Sequence, residues 1–116
     1  MRRGEIWLVD FEPAVGSEPN KRRPAIIISN DGASARAERL GRGLLTVVPT
    51  TSNTRRIFDF QVLLQAHDTG LDVDSKAQAE QVRGLDVSRF DRRLGRVSLT
   101  DMKRLEKALL VHLAIV

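Results

Sequence analysis

Arg23-Pro24-Ala25-Ile26-Ile27-Ile28-Ser29 decides how the chain is read. The apolar run has no polar alternation, it is too short for a core helix, and it is rich in β-branched residues. That combination predicts a strand buried on both faces. Pro24 lies at its start, where the missing N–H costs least. Working toward the N-terminus, Glu5 to Asp10 (Glu-Ile-Trp-Leu-Val-Asp) predicts another strand, stopped by Phe11-Glu12-Pro13. Residues Ala14 to Arg22, with Gly16, Pro19 and Asn20, form a polar loop between the two.

Toward the C-terminus, Asn30-Asp31-Gly32 predicts a turn and Ala33 to Leu40 a weak helix. Gly43 to Pro49 predicts a strand, Thr50 to Arg56 a polar loop, and Phe58 to Leu64 a further strand with Phe58, Phe60 and Val62 on one face. Ala66 to Gly70 reads as a turn, Ser75 to Arg83 as one or two short strands, Val87 to Phe90 as a helical turn, and Leu94 to Val97 as a last short strand. Ser98 then opens a helix, with Asp101 three residues on in an imperfect capping box. Leu99, Met102, Leu105, Leu109 and Leu113 make an apolar stripe that packs on the sheet. Trp7 and Phe60 are assigned to the core. The expectation is a mainly β chain with a C-terminal helix, a small and strongly bent β-barrel, with residues 1–116 as one domain.

Composition narrows the function. The 116 residues carry a net charge of +4, with Arg far outnumbering Lys. Guanidinium groups suit bidentate contacts to phosphate and stacking on bases, so a polyanion is the expected partner class. No cysteine is present, which excludes disulfides and thiolate metal sites and fits a reducing cytoplasm. Neither a signal peptide nor a run long enough to cross a bilayer is recognisable. The two histidines, His67 and His112, are not spaced as ligands, and the carboxylates are scattered. A zinc site and a two-metal nuclease are therefore not expected, nor any cofactor.

Four segments in order carry a resemblance: Arg3-Gly4-Glu5-Ile6-Trp7; Gly16-Ser17-Glu18-Pro19-Asn20-Lys21-Arg22-Arg23-Pro24; Val47-Val48-Pro49-Thr50-Thr51-Ser52-Asn53; and Glu80-Gln81-Val82-Arg83-Gly84-Leu85-Asp86. Together, over nearly the whole chain, they resemble the MazF/PemK family of toxin–antitoxin systems. The resemblance implies an SH3-like barrel that forms a homodimer. It implies ribosome-independent, metal-independent cleavage of single-stranded RNA, and a MazE-like antitoxin whose acidic, partly disordered C-terminal tail covers the RNA groove.

Such cleavage needs positive charge on a developing phosphorane, a base for the ribose 2′-OH and an acid for the leaving oxygen. By resemblance, Arg23 is the catalytic arginine; its place before Pro24 also favours extended backbone at a strand mouth. Thr51 corresponds to the family's active-site threonine, with Thr50 adjacent as the alternative. Glu18 stands where the family carries a glutamate, and serves as base or as an arginine's partner. The general base stays open between Glu18, Thr51 acting through water, and the substrate phosphate. Asn20, Lys21, Arg22, Ser52, Asn53, Arg55 and Arg56 offer charge and base-edge donors for RNA. Glu80 stands where PemK-like members have an aspartate, but Gln78 replaces their arginine, which favours Arg23 with Thr51. Glu80, Gln81 and Arg83 then contact RNA or hold a dimer interface. Arg92, Arg93 and Arg96 read as a solvated face. Two other functions fit the same fold class: a CcdB-like gyrase poison and a non-catalytic SH3-like RNA-binding or adaptor module.

Overall fold

A computed structural model describes residues 1–19 and 21–115. Strand β1 (Glu5–Asp10) pairs antiparallel with β2 (Arg22–Ile27). Helix α1 (Asp31–Leu40) follows, then β3 (Leu44–Thr51), β4 (Gln61–Leu64), the short helix α2 (Ala66–Thr69), β5 (Ser75–Gln78), β6 (Arg83–Asp86), β7 (Phe90–Arg96) and helix α3 (Leu99–Leu113). The sheet runs β4-β5-β3-β2-β1-β7. Eight-residue β3 is long enough to take two partners on one edge: β6 along Leu44–Val47 and β5 at Thr50–Thr51. The sheet is antiparallel, but it does not close into the expected barrel: β4 and β7 remain its two ends.

The sheet has apolar side chains on both faces. Ile26 and Val48 belong to a core with Leu64, Val97, Met102 and Leu105 under α3, whereas Ile27 and Val47 belong to a second core with Phe11, Ala37, Leu45 and Leu85. Two adjacent isoleucines thus serve two cores, which is what the unalternating run of β2 predicts. Each fully buried isoleucine contributes about 1.5–3 kcal/mol.

Several local expectations shift. Asn30 is the N-cap of α1 rather than part of a turn, its side chain accepting from the Ala33 N–H at 2.8 Å. Phe58 and Phe60 precede β4 and stack on each other, with ring centroids 5.3 Å apart. The strand begins at Gln61 because that side chain accepts from the Phe58 N–H, closing a turn. Phe60 is half-buried, packed between Phe58 and His112 rather than in a core; Trp7 packs on the second core. Within the segment Ser75 to Arg83, β5 covers Ser75–Gln78, a 3-10 turn follows at Ala79–Gln81, and Arg83 opens β6. In α3, Ser98 caps as expected, accepting from the Asp101 N–H. The buried stripe is Met102, Leu105 and Ala108, however. Leu99 is 80% exposed and Leu113 51%, because the sheet beneath covers only the middle of the helix.

Candidate active site

The second and third motifs meet because β2 and β3 are antiparallel neighbours. Ala25 stands opposite Pro49, and the same register carried two residues on brings Arg23 alongside Thr51. Both line a half-open groove of about 390 Å³, together with Arg22, Pro24, Thr50 and Ser52. Its opposite wall is the turn from Gly70 to Ser75, with Leu94 of β7.

The two threonines differ. Thr50 is 1% exposed, and its hydroxyl donates to the Pro24 carbonyl oxygen at 3.0 Å. Thr51 is half-exposed, and its hydroxyl accepts the Asn53 N–H at 3.3 Å. A hydroxyl retains its proton for donation in that arrangement, so Thr51 presents a donor to the groove. Ser52 and Asn53 are exposed beside it.

The loop between β1 and β2 is tied down residue by residue. Lys21 takes a left-handed conformation (φ 59°) and donates its backbone N–H to the Glu12 carboxylate, turning the chain into β2. Arg89 donates to the carbonyl oxygens of Asp10 and Glu12. Glu18 accepts from the Val15 N–H at 2.8 Å and faces the Arg83 guanidinium at 3.9 Å, and Gln81 donates to the Ser17 carbonyl oxygen. Glu18, Gln81 and Arg83 therefore form the support of this loop and are not among the residues lining the groove. Arg83 also lies over the Phe11 ring. Glu80 accepts from Gln61 at 2.7 Å through Oε2, while its Oε1 is buried with no hydrogen-bond partner among the described residues.

Arg22 lines the groove and pairs with Asp91 at 2.9 Å. Lys21 is exposed. Asn20, expected to contact RNA, lies outside the described residues. Arg55 and Arg56 sit in the β3–β4 loop; Arg56 packs over Phe58, and its carbonyl oxygen accepts from the Lys76 ammonium. Neither lines the groove. Arg92 and Arg93 pair with Asp91 and Glu5, and all three arginines of β7 are exposed. His67 and His112 are exposed and outside the groove. The sequence reading missed the Gly70–Ser75 wall. Its residues carry no shared spacing with Arg23 or Thr51, and only the fold of β5 against β3 brings it there. Among the described residues, no group of three or more His, Cys, Asp or Glu side chains is placed to hold a metal ion. No helix among them is long and apolar enough to cross a membrane.

Residues 2–113 match the family described as PemK-like, MazF-like toxin of type II toxin–antitoxin system. The chain belongs to this family. It is 58% identical over 113 residues to Endoribonuclease MazF9 of Mycobacterium tuberculosis, covering 97% of this chain and 96% of that protein. The name of that relative agrees with the enzymatic reading of the sequence. A probable endoribonuclease MazF1 of the same organism is 61% identical over 57 residues, 49% of this chain and 61% of that protein. Among solved structures, MazF from Deinococcus radiodurans superposes with a TM-score of 0.80 at 28% identity, covering 98% of this chain and 96% of that one. The M. tuberculosis toxin MazF-mt6 does so with 0.75 at 20% identity, over 95% and 96%. These likenesses bear out the mainly antiparallel PemK-type fold with its C-terminal helix.

Proposed function

We propose that this MazF-family toxin is an endoribonuclease that cuts single-stranded RNA at a short sequence, without a metal ion and without the ribosome. The observation that carries the reading is that Arg23 and Thr51, from two neighbouring strands, share one groove. The ribose 2′-oxygen attacks the adjacent phosphorus, the bond from phosphorus to the 5′-oxygen breaks, and the products are a 2′,3′-cyclic phosphate and a 5′-OH. Arg23 holds the phosphate oxygens and stabilises the charge of the phosphorane. Thr51 donates to one of those oxygens and fixes the phosphate in line. The 2′-OH proton passes to a phosphate oxygen of the substrate and from there to the leaving 5′-oxygen, since Glu18, the carboxylate the family motif offers, is engaged with Val15 and Arg83. Glu18 holds the loop that presents Lys21, Arg22 and Arg23. Ser52 and Asn53 contact the RNA beside the cut, with Asn20, Arg55 and Arg56 on the flanking loops; Gln81 and Arg83 support the loop from behind, and Glu80 holds Gln61.

The partner is an antitoxin, as the family's description as a toxin of toxin–antitoxin systems supports, with an acidic segment that competes for the basic groove. The working unit is a homodimer in the cytoplasm. Its support is the apolar surface around the end of α3, where Leu110, Val111 and Leu113 are exposed and Phe58 lies within the stack that ends on His112.

The test is incubation of the purified chain with a long single-stranded RNA in EDTA, beside Arg23→Ala and Thr51→Ala, with cut sites and end groups mapped. Discrete cuts with cyclic phosphate ends, lost in both variants, are expected. A folded wild type that leaves RNA intact, or cutting undiminished by Arg23→Ala, overturns the reading in favour of a gyrase-binding toxin or an RNA-binding module.

A further inference from the structure

The wall opposite Arg23 has no part in the chemistry above, yet it is firmly built. It runs from Gly70 to Ser75. Gly70 ends α2 in the left-handed conformation (φ 87°) and donates to the Ala66 carbonyl oxygen at 3.1 Å. A Cβ on Gly70 would lie 3.1 Å from the Leu94 carbonyl oxygen, and one on Gly95 would lie 1.8 Å from that of Thr69. The turn and β7 therefore touch backbone to backbone. Farther along, the Asp74 carboxylate accepts the Ala66 N–H at 2.8 Å, and the Ser75 hydroxyl donates to the Val73 carbonyl oxygen at 3.1 Å. A turn tied at both ends offers its remaining side chains at fixed positions.

Those side chains are of two kinds. Leu71 and Val73, with Pro24 and Leu94, give the groove an apolar lining suited to the face of a flat ring. Asp72 is exposed and is the one carboxylate among the described residues lining the groove, which Arg22 and Arg23 line as well. A carboxylate repels phosphate, so the RNA backbone settles on the arginine side and a base faces Asp72. The volume of about 390 Å³ holds one nucleotide rather than a run of them.

We propose that Asp72 selects, at one position beside the cut, a base with an exocyclic amino group over uracil; this rests on the RNA-cleaving reading of the groove. An ionised carboxylate only accepts hydrogen bonds. Cytosine, adenine and guanine each present amino N–H donors on the Watson–Crick edge. Uracil presents a single N–H flanked by two carbonyl oxygens, which the carboxylate repels. A carboxamide in the same place removes this bias, because it donates to one uracil carbonyl while accepting the N–H, and pairs as readily with an amino-bearing edge.

The experiment maps cut sites on one long single-stranded RNA, in EDTA, for wild type, Asp72→Asn and Asp72→Ala. Folding is checked by circular dichroism. The expected result is a change at one position of the recognition sequence. Cutting at amino-bearing bases there falls roughly ten-fold relative to uracil in Asp72→Asn, the preference flattens in Asp72→Ala, and the other positions keep theirs. Oligonucleotides differing at that base alone show the same loss of discrimination in kcat/KM. An unchanged recognition sequence in active variants overturns the proposal and leaves the cleavage reading standing. So does a uniform fall at every site, or loss of all cutting in both folded variants. Intact RNA with the wild type overturns both.

Discussion

The Thr50 hydroxyl donates to the Pro24 carbonyl oxygen at 3.0 Å, joining β3 to β2 at the residues next to Thr51 and Arg23. The bond divides the labour of two neighbouring threonines. Thr50→Val leaves a buried carbonyl without its partner and is expected to cost about 1–2 kcal/mol, read as a lower denaturation midpoint with cleavage largely kept. Thr51→Val is expected to do the reverse: an unchanged midpoint and a fall in kcat of at least roughly a hundred-fold, the scale of one lost transition-state donor. Equal loss of activity in both variants would contradict this division.

Arg23→Lys keeps the charge and removes the planar fork. If the guanidinium grips two oxygens of the phosphorane, the lysine variant loses most of its activity, by about 2–4 kcal/mol in transition-state binding. The fall should appear in kcat more than in KM. Steady-state kinetics on a short RNA decide it, and near-normal kcat in the lysine variant would reduce Arg23 to a binding charge.

Glu18 is engaged with the Val15 N–H and Arg83. Glu18→Gln preserves an acceptor for Val15 and removes the charge. The pH–rate profile should keep its shape, with KM raised a few-fold as the loop loosens. Disappearance of an acidic limb from kcat/KM in this variant would instead identify Glu18 as the general base.

Gly95→Ala tests the backing of the groove, since its Cβ would fall 1.8 Å from the Thr69 carbonyl oxygen. Backbone must move, and the expected cost is about 1–3 kcal/mol or more, as for overpacking. Denaturant unfolding measures it. A stability equal to wild type would show that the α2 turn yields freely and does not form a fixed wall.

Glu5 supplies a pH test away from the groove. Partial burial pushes its carboxyl up, but the Trp7 indole N–H, the Arg2 backbone N–H, Arg93 and the amino terminus outweigh that and hold it below the ordinary carboxylate value. A depressed folded pKa adds stability that is present above the unfolded value, about 4.5, and is lost as pH falls through the folded one. Thermal midpoints of wild type and Glu5→Gln should therefore differ at pH 7 and converge in acid, as pH falls below the unfolded value and through the depressed folded one. A constant gap across that range would assign the difference to packing.

Much of the fold is legible from composition and order alone. The unalternating Ile26-Ile27 pair reads directly as a strand with a core on each side, and Ser98 as a helix cap, because burial and capping are local demands on residue type. Phe58 and Phe60 were less legible: alternation suits a strand, but a Gln61 hydrogen bond and the stacked rings hold them in a turn. The C-terminal stripe was legible as a helix face and not in its limits, since how far the sheet reaches under α3 is not a property of α3.

The site divides in the same way. By itself, the sequence determined the residue types: an arginine before a proline at a strand mouth, two adjacent hydroxyls opening the loop after another strand, a basic chain without cysteine. Only the tertiary structure decided which of them meet. Strand register brings Arg23 to Thr51 and turns Thr50 inward, and the return of β5 along β3 brings Asp72 into the groove that the arginines line. The physical reason is that local preference depends on neighbours in the chain. A groove is made by backbone pairing between segments distant along it, and no residue's own chemistry records which segment lies across from it.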